Sequence, residues 1–414
     1  MKDKATTKPF FNSAIPSDWE IMSLDELGEL KNGINKDKEE FGHGFPLVGL
    51  MDVFDIPKVY NGEFSLVNTT ENERRDFDLR KGDVLFVRSS VKPTGVGLTT
   101  LVCEDMPDAT FSGFLIRFRA NGKLDFDFKA HCFFENNFRQ RLLCKSTISA
   151  NTNINQVALK SLQIAVPPIL EQKAIANILS TWNSAIAKTQ KVIAELQERN
   201  SWLKQQLLSG KKRLKEFRKE EWREIHIGDV SKEVSIKNRD DKQLTVLSCT
   251  KHNGLVPSLE YFGRKIFADD VSTYKVVPKN HFAYATNHIE EGSIGYQNNF
   301  DEALISPMYT VFKTDSSVND NYFFKLLKSH HCIYQYQARM EGSIDRRGGL
   351  RWDAFSIIKI RIPNKEEQTA ILKVLEAADK EIQILKMKLE KLIEQKKGLM
   401  QQLLTGKKRL AIKK

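Results

Sequence analysis

Polar side chains of the types that contact DNA cluster in two parts of the chain, within the first 153 residues and after residue 236. Arginine, lysine, asparagine, serine and threonine hydrogen-bond to phosphates and to base edges. The candidates for such contacts are Lys31, Arg88, Ser89, Lys92, Asn151, Asn153, Arg239, Thr286, Asn287, Arg346, Arg347 and Arg351. Arg88 and the arginines between 346 and 351 are the best placed for direct contact. Such loops also occur on surfaces without ligands, so an ordinary solvated loop stays the alternative for each residue.

The sequence lacks the motifs of catalytic sites that act on DNA. There is no G-x-x-x-x-G-K-[ST] loop for ATP and no G-x-G-x-x-G turn for a dinucleotide. An amino-methyltransferase needs an Asn/Asp-Pro-Pro-aromatic run, whereas the only Pro-Pro pair, Pro167-Pro168, follows Val166. Glu394 and Lys396 match part of a nuclease spacing, but they lie on a predicted long helix, where a charge pair belongs to the surface. We predict a binding protein without catalytic residues; a single-chain enzyme of another type is the alternative.

Composition and cysteine usage indicate a cytoplasmic protein without a membrane partner. Hydrophobic residues make up 41% and charged residues 28% of the 414 positions, which is ordinary for a globular protein. No run of 18 apolar residues predicts a membrane span, and the first 19 residues lack the apolar core of a secretory signal. The 5 cysteines form no C-x-x-C pair and the 8 histidines show no ligand spacing. The sequence therefore predicts neither a metal site nor a disulfide framework.

The positive charge of the chain is concentrated in two short segments. The net charge of +11 favours a polyanionic partner such as nucleic acid. Residues 167–218 and 363–414 carry about +6 each, whereas residues 1–166 carry about −2 and residues 219–362 about +1. If the two nearly neutral blocks contact DNA, they must separate their charges onto different faces.

The chain is an internal duplication. QQLLSGKKRL at 205–214 returns as QQLLTGKKRL at 401–410, an offset of 196 residues. At this offset about 19 of 48 positions of 167–214 match 363–410, where chance gives roughly 3. A weaker match extends upstream, and each half opens near a tryptophan, Trp19 or Trp222. The order is a variable block, a helical block, a second variable block and a second helical block.

Each helical block shows the seven-residue apolar repeat of a coiled coil. The apolar residues step by four and three from 175 to 207 and from 371 to 403, which predicts two helices of about 38 residues and about 57 Å. Pro167 and Pro363 precede these helices, and Gly210 and Gly406 follow them. The predicted interface positions are Leu179, Trp182, Ile186, Ile193, Leu196, Leu375, Ile382, Leu385, Leu389 and Leu392. We predict an antiparallel pair with a pseudo-two-fold axis; pairing with another chain is the competitor.

A polar residue interrupts each repeat at the same place, Asn200 in the first helix and Lys396 in the second. A polar residue in such a position usually fixes the register or the partner of a coiled coil and lowers its stability. Alternatively, the two residues lie where the helices separate or contact another element.

The variable blocks have a mixed α and β pattern. At about 140 residues each, they are long enough to bury their own cores. The strand-like segments are Asp83–Arg88, Gly113–Arg119, Ser161–Val166, Lys279–Ala285, Met308–Phe312 and Ile357–Ile362, and the helix-like ones are Phe128–Leu143 and Asn319–Gln337.

The residues that bound the two helices resemble those of the specificity subunits of type I restriction-modification enzymes. The pattern P-x-x-x-E-Q-x-x-I starts at Pro167 and again at Pro363, and the pattern Q-Q-L-L-[ST]-G starts at Gln205 and again at Gln401. The two patterns are specific together, and their duplication makes the resemblance more specific. It covers nearly the whole chain. The second copy has Asn364 for the second proline, and the second block lacks the Gly82-Asp83 turn.

The resemblance implies an α+β fold with two α/β target recognition domains, separated by two long helices that form an antiparallel coiled coil. The implied divisions are an N-terminal segment (1–18), recognition domain 1 (19–166), helical region 1 (167–214), recognition domain 2 (215–362), helical region 2 (363–410) and a basic tail (411–414).

The resemblance also implies the function. Each recognition domain would recognise one half of a bipartite site in double-stranded DNA, while the helices would set the spacer and dock two methyltransferase subunits. Restriction subunits would join through the complex. S-adenosylmethionine, ATP and Mg would belong to those partners, and the chain itself would need no cofactor. The alternative is a coiled-coil adaptor with protein partners only.

Overall fold

The computed structural model describes residues 7–11, 13–148, 150–240, 242–341 and 349–410. The chain divides into two compact units, Met1–Gln190 with Met387–Lys414 and Lys191–Lys386. Each unit contains one α/β domain and a segment of each of two long helices. The predicted basic tail lies outside the described residues.

The α/β domain of the first unit is built on short strands. Its strands are β1 (Thr7–Phe10), β2 (Ser13–Pro16), β3 (Glu20–Ser23), β4 (Gly28–Asn32), β5 (Phe41–Val48), β6 (Lys58–Val59), β7 (Ser65–Val67), β8 (Val84–Val87), β9 (Ser89–Ser90), β10 (Thr99–Val102), β11 (Thr110–Phe111), β12 (Leu115–Ala120), β13 (Thr147–Ile148), β14 (Thr152–Asn153) and β15 (Gln163–Val166). Its helices are α1 (Leu24–Leu27), α2 (Glu71–Asp76), α3 (Asn136–Cys144) and α4 (Gln156–Lys160).

Strand β8 lies at the centre of a five-stranded sheet of order β4-β12-β8-β10-β6. All four residues of β8 are buried, because the sheet is covered on both faces. Val87, its last residue, faces Leu115 in the antiparallel register with β12. Strands β13, β14 and β9 form a separate small sheet directly after the end of β8.

The two long helices are α5 (Ile169–Leu208) and, at the end of the described chain, α10 (Lys365–Leu404), each of 40 residues. Their length is about 60 Å at 1.5 Å per residue. Both helices pass from one unit into the other along the chain. No helix among the residues that the structure describes is long and apolar enough to cross a membrane.

The second unit repeats the arrangement. Its strands are β16 (Arg223–His226), β17 (Ser231–Glu233), β18 (Ile236–Lys237), β19 (Val246–Thr250), β20 (Gly254–Pro257), β21 (Lys275–Pro278), β22 (His281–Ala285), β23 (Ile294–Gln297), β24 (Glu302–Ile305), β25 (Tyr309–Thr314) and β26 (Lys359–Ile362). Its helices, besides segments of α5 and α10, are α6 (Ser258–Phe262), α7 (Asp320–Leu327), α8 (His330–Glu341) and α9 (Trp352–Ser356). Strand β22 pairs antiparallel with β25, and Ala285 faces Tyr309 as Val87 faces Leu115.

A residue with positive φ precedes the central strand in both domains, although the second domain has Asn280-His281 in place of Gly82-Asp83. Gly82 precedes β8 with a φ of +93°, and Asn280 precedes β22 with a φ of +59°. Asparagine is among the few residues other than glycine that adopt this left-handed conformation readily. The substitution therefore keeps the turn.

The two predicted long helices inside the domains are each interrupted. In Phe128–Leu143 two 3-10 turns precede α3, which starts anew because the carboxylate of Glu135 accepts hydrogen bonds from the backbone N–H groups of Asn137 and Phe138. In Asn319–Gln337 the chain breaks between α7 and α8, where Ser329 Oγ accepts from Cys332 N at 3.4 Å. Side-chain caps of this kind compete with a continuous helix.

The predicted antiparallel pairing of the long helices is confirmed. In the second unit Arg199 on α5 bonds Glu381 on α10 at 2.6 Å, and Lys204 further along α5 bonds Asp379 earlier on α10 at 3.0 Å. In the first unit Glu171, near the start of α5, meets a residue that follows the end of α10. The sequence numbers rise on one helix as they fall on the other, so the helices pair with each other rather than needing another chain.

Burial of the seven-residue repeat is greatest where the helices join a domain. Leu179 and Leu375 belong to the apolar cores of the first and second domains, respectively. Of the other predicted interface positions, Ile193 and Ile382 are buried, and Trp182, Ile186, Leu196, Leu385, Leu389 and Leu392 are partly buried. The helix pair is thus anchored in a domain core within each unit and partly covered along its middle.

Candidate nucleic-acid interface

Three chain segments meet at the end of the central strand of the first domain. The backbone N–H of Arg88, which follows β8, donates to the carbonyl of Phe114, which precedes β12, at 2.8 Å. The carbonyl of Arg88 accepts from the N–H of Ile154 at 3.0 Å, in the loop before α4. These hydrogen bonds connect the end of β8, the start of β12 and the loop before α4. We call the place where the three segments are connected the meeting point of the domain.

Five of the predicted DNA-contact residues lie together in this region. Ser89 pairs with Asn153 across β9 and β14, and Asn153 Nδ2 donates to the carbonyl of Asn151 at 2.9 Å. The Arg88 guanidinium donates to the carbonyl of Gly113 at 3.2 Å and is only partly exposed. Lys92 is exposed shortly after β9, at the start of a 3-10 turn.

Lys31 occupies a different setting from this group. It lies in β4, its ammonium donates to the carbonyl of Asp76 at 2.8 Å, and it sits 4.5 Å from the ring centre of Phe77. These contacts link β4 to the end of α2. They give Lys31 a structural role that its residue type alone does not indicate.

The second domain builds the same meeting point with different side chains. Thr286 follows β22, and its Oγ1 donates to the carbonyl of Met308, which precedes β25, at 3.0 Å. The carbonyl of Thr286 accepts from the N–H of Leu350 at 2.9 Å, in the segment before α9. Arg351 occupies the N-cap position of α9 as Asn155 occupies that of α4, although only the Asn155 side chain accepts a capping hydrogen bond. The three segments correspond one to one between the domains.

An open cavity of about 470 Å³ lies at this place in the second domain, and Thr286, Asn287 and Arg351 line it. Its charges are mixed, since Lys275 and Arg351 face it together with Glu233 and Asp353. Arg239 is exposed after the buried Asn238 and is not among the lining residues. Arg346 and Arg347 lie outside the described residues.

Two exposed apolar side chains at these meeting points were not predicted from the sequence. Phe114 is 56% exposed and Met308 is 63% exposed. Each is the residue directly before the strand that pairs with the central strand. A large apolar residue in a strand-like segment is expected to be buried, so its exposure was not evident before the fold was known.

A possible metal-binding group occurs near Asn287. His288, Glu290 and Glu291 place one ligand atom each within 4.8 Å of one another. His288 and Glu291 are exposed, and exposed acidic groups often occur without an ion. No second observation points to a metal here, so the group supports no assignment.

The repeated E-Q motif forms a buried junction in each unit. In the first unit the Glu171 carboxylate, 1% exposed, accepts from Trp19 Nε1 at 3.0 Å and from the Arg409 guanidinium at 2.7 and 2.9 Å. In the second unit Glu367 accepts from Trp222 Nε1 at 3.1 Å and from Arg213 at 2.7 and 2.6 Å. We call these two clusters the junctions. They link the start of a domain, the start of one long helix and the segment after the other.

The junctions explain why both motifs occur twice. The arginine belongs to the G-K-K-R-L segment that follows one helix, and the glutamate belongs to the E-Q pair that starts the other. Gly210 and Gly406 end the helices with φ of +70° and +67°. A Cβ at Gly210 would lie 3.2 Å from the ring of Trp222, and a Cβ at Gly406 would lie 2.3 Å from Pro16 and 3.3 Å from the ring of Trp19. Each motif is therefore complementary to the other in an antiparallel pair.

Arg409 has a second partner that Arg213 lacks among the described residues. Its guanidinium also bonds Asp18 at 2.8 and 2.9 Å. This hydrogen bond holds the pKa of the Asp18 carboxyl below its usual range. Arg213 instead donates to the backbone carbonyl of Phe217 at 2.7 Å.

The glutamines of the E-Q pairs form hydrogen bonds between the first turn of each long helix and a loop of a domain. Gln172 Oε1 accepts from the backbone N–H of Asp125 at 2.7 Å, and Gln368 Oε1 accepts from that of Asn319 at 2.8 Å. Both glutamines are 1% exposed or less and also donate to the carbonyl of the preceding proline. Each long helix is thereby rigidly joined to a domain at its N-terminus.

The polar interruptions of the helix repeat have different surroundings. Asn200 is 3% exposed and its amide nitrogen has no hydrogen-bond partner among the described residues. Lys396 is partly buried, and burial lowers the pKa of its ammonium. Burial, with Lys396 as a further cause, lowers the pKa of the neighbouring His131 to about 4. Both residues therefore lower the stability of the folded chain, Asn200 through an unsatisfied buried amide and Lys396 through a partly buried charge.

Replacing both residues by leucine is expected to stabilise the chain. Asn200→Leu removes a buried unsatisfied amide and Lys396→Leu removes a partly buried cation, each worth about 1 kcal/mol. Thermal unfolding should show a midpoint several degrees higher, and size-exclusion chromatography should show more self-association. Lys397→Leu, at an exposed position on the same helix, is the control. A monomer with a lower midpoint would show that these positions need their polar groups.

The chain is similar to a protein family and to individual proteins. The family model described as type I restriction modification DNA specificity domain matches residues 16–198 and again residues 219–395. The MjaX specificity subunit, named for a type I restriction enzyme of Methanocaldococcus jannaschii, is 25% identical over 428 residues, which cover 96% of this chain and 95% of that protein.

Solved structures share the fold. The HsdS subunit from Thermoanaerobacter tengcongensis aligns with a TM-score of 0.55 and 16% identity, over 96% of this chain and 99% of that one. A chain from a structure described as showing complex assembly and conformational transition of the type I R-M system aligns with a TM-score of 0.61 and 14% identity, over 96% and 100%.

Proposed function

The chain belongs to the family of type I restriction-modification DNA specificity domains, and we propose that each of its two α/β domains recognises one half of a bipartite site in double-stranded DNA. The observation that supports this most is the meeting point present in both domains. The same three segments meet in each domain, whereas Arg88, bonded through its backbone N–H, corresponds to Thr286, bonded through its side-chain hydroxyl. One scaffold with different polar side chains suits the recognition of two different base sequences.

Phosphate contacts by these domains alone would be weak. The blocks are nearly neutral, and the cavity at Thr286 has charges of both signs. Most of the affinity of DNA-binding proteins comes from phosphate neutralisation. High affinity therefore requires partners that add positive charge around the duplex.

The long helices offer apolar surfaces for such partners. In the second unit Val192, Trp202, Val374 and Ile384 are between 37% and 51% exposed, and in the first unit Leu170, Met387 and Ile393 are between 46% and 56% exposed. A partner subunit that packs along these helices would cover these side chains and remove their apolar area from water. Since each unit has such a surface, the proposal is that two methyltransferase subunits dock on the helices.

Catalysis belongs to the partners in this proposal. The chain supplies sequence recognition, and the methyltransferase subunits supply the S-adenosylmethionine site. Restriction subunits, with ATP and Mg, join through the assembled complex. The complex acts in the cytoplasm, where its DNA substrate is found.

The test compares the purified chain with the chain bound to methyltransferase subunits. We expect the isolated chain to show no methyl transfer, ATP hydrolysis or DNA cleavage, and no nanomolar sequence-selective binding at physiological salt. Adding the methyltransferase subunits should produce both selective binding and methylation. Nanomolar selective binding by the chain alone would contradict the role given to the partners. A complex that forms but never binds DNA would support the adaptor alternative instead.

A further inference from the structure

Phe114 and Met308 occupy equivalent positions in the two domains. Val87 faces Leu115 at the end of β8, and Ala285 faces Tyr309 at the end of β22. Phe114 and Met308 are the residues directly before Leu115 and Tyr309. The match follows from strand register, so it does not depend on sequence similarity between the loops.

The backbone of each residue is fixed while its side chain stays exposed. The carbonyl of Phe114 accepts from the N–H of Arg88, and the carbonyl of Met308 accepts from Thr286 Oγ1. Neither side chain belongs to the apolar core clusters of the described residues. One exposed apolar residue would be ordinary. Here two exposed apolar residues occupy equivalent places, and the backbone of each is hydrogen-bonded to a candidate DNA-contact residue. This correspondence indicates a shared role.

We infer that Phe114 and Met308 are apolar base contacts, each packing against the 5-methyl group of a thymine in the half-site that its own domain recognises. The inference rests on the proposed function. Of the groups on base edges in the major groove, the thymine methyl is the one that an apolar side chain recognises. The neighbouring polar side chains contact phosphates or base edges, and the apolar side chain adds discrimination that they cannot supply.

Two other exposed apolar residues of the first domain lie on or next to the small sheet that contains Ser89 and Asn153. Val91, just after β9, is 80% exposed, and Ile148, at the end of β13, is 79% exposed. Ile148 and Ser90 both face Thr152 in the small sheet. The first domain therefore exposes apolar atoms at Val91 and Ile148 in addition to Phe114.

The experiment uses the complex of the full chain with methyltransferase subunits. The binding preference of Phe114→Ala and Met308→Ala is measured by selection from randomised half-sites and sequencing. We expect Phe114→Ala to lose about tenfold discrimination at one thymine-containing position of one half-site, with the other half-site unchanged. Met308→Ala should show the reciprocal pattern. Val157→Ala and Ile357→Ala, which are 77% and 61% exposed at other places in the same domains, are the controls.

Deoxyuridine tests the methyl contact itself, because it differs from thymidine only by that group. The wild-type complex should bind about tenfold more weakly when deoxyuridine replaces thymidine at the affected position, and Phe114→Ala should be insensitive to the replacement. Unchanged preferences in both variants, or a uniform loss of affinity without altered preference, would overturn the inference. A wild-type complex without preference at either half-site would instead refute the proposed function. Thermal unfolding verifies that each variant is folded.

Discussion

Glu367→Gln is expected to destabilise the second unit by about 3 kcal/mol, and Glu171→Gln to destabilise the first unit by about 2 kcal/mol. Removing the charge of one partner leaves a partly buried guanidinium without its carboxylate, and breaking fully buried pairs costs about 3–5 kcal/mol. The Arg213 side chain is 18% exposed and that of Arg409 is 33% exposed, so solvent reduces these values. Arg409 retains Asp18, which is why the effect at Glu171 is the smaller one.

Chemical unfolding followed by circular dichroism measures both variants. Glu390→Gln is the matched control, because this glutamate is exposed on the same helix as Glu367. The control should stay within about 0.5 kcal/mol of the unmodified chain. If Glu367→Gln is no more destabilising than Glu390→Gln, the junctions do not hold the domains to the helices.

Shortening both long helices by one heptad is expected to shorten the DNA spacer between the half-sites. Deleting residues 186–192 together with 382–388 keeps every apolar position of the repeat in phase. It removes about 10 Å of each helix, which corresponds to roughly three base pairs. We expect both half-sites to keep their identity and the preferred spacer to shrink by two to four base pairs. Activity should fall, since the remaining site is rotated by about a third of a duplex turn.

Exchanging the heptad 186–192 with 382–388, without a change in length, is the control for this deletion. The control should keep the spacer unchanged, because each helix retains 40 residues. Retained activity with an unchanged spacer after the deletion would show that something other than the long helices sets the distance. Complete loss of methylation would indicate that the methyltransferase subunits docked along the shortened helices collide with each other.

The long helices were predictable because a seven-residue repeat and its boundary residues are local in sequence. The predicted length was about 38 residues for each helix, and the structure has 40 residues in each. In the structure the carbonyl of Pro168 accepts from the N–H of Glu171, so the first turn forms directly after the proline.

The junctions could not be predicted, although both motifs that form them were noticed. Glu171 and Arg409 are 238 residues apart, and Glu367 and Arg213 are 154 apart. Only the antiparallel arrangement brings the start of one helix to the segment after the other. Sequence repetition showed that the motifs matter together, but not that each glutamate binds the arginine of the opposite copy.

The DNA-contact residues were only partly predictable, because residue type does not determine exposure or partners. Lys31 has the same type as Lys92, yet it bonds the end of α2 while Lys92 is exposed near the meeting point. Thr286 and Arg351 come together from segments 65 residues apart in sequence and line one cavity. The DNA-contact role of every candidate remains a prediction.

The most direct measurement of the central claim is the mapping of methylated sites after one domain is exchanged. Residues 222–361 are replaced by the corresponding block of another member of the family, while both long helices and the glutamate–arginine pairs of both junctions stay intact. Single-molecule sequencing of genomic DNA then gives the methylated sequence for the original and the hybrid chain. If each domain recognises its own half-site, one half of the bipartite sequence changes, and the other half and the spacer stay the same. A hybrid that methylates both half-sites differently, or that leaves both unchanged, would contradict the account.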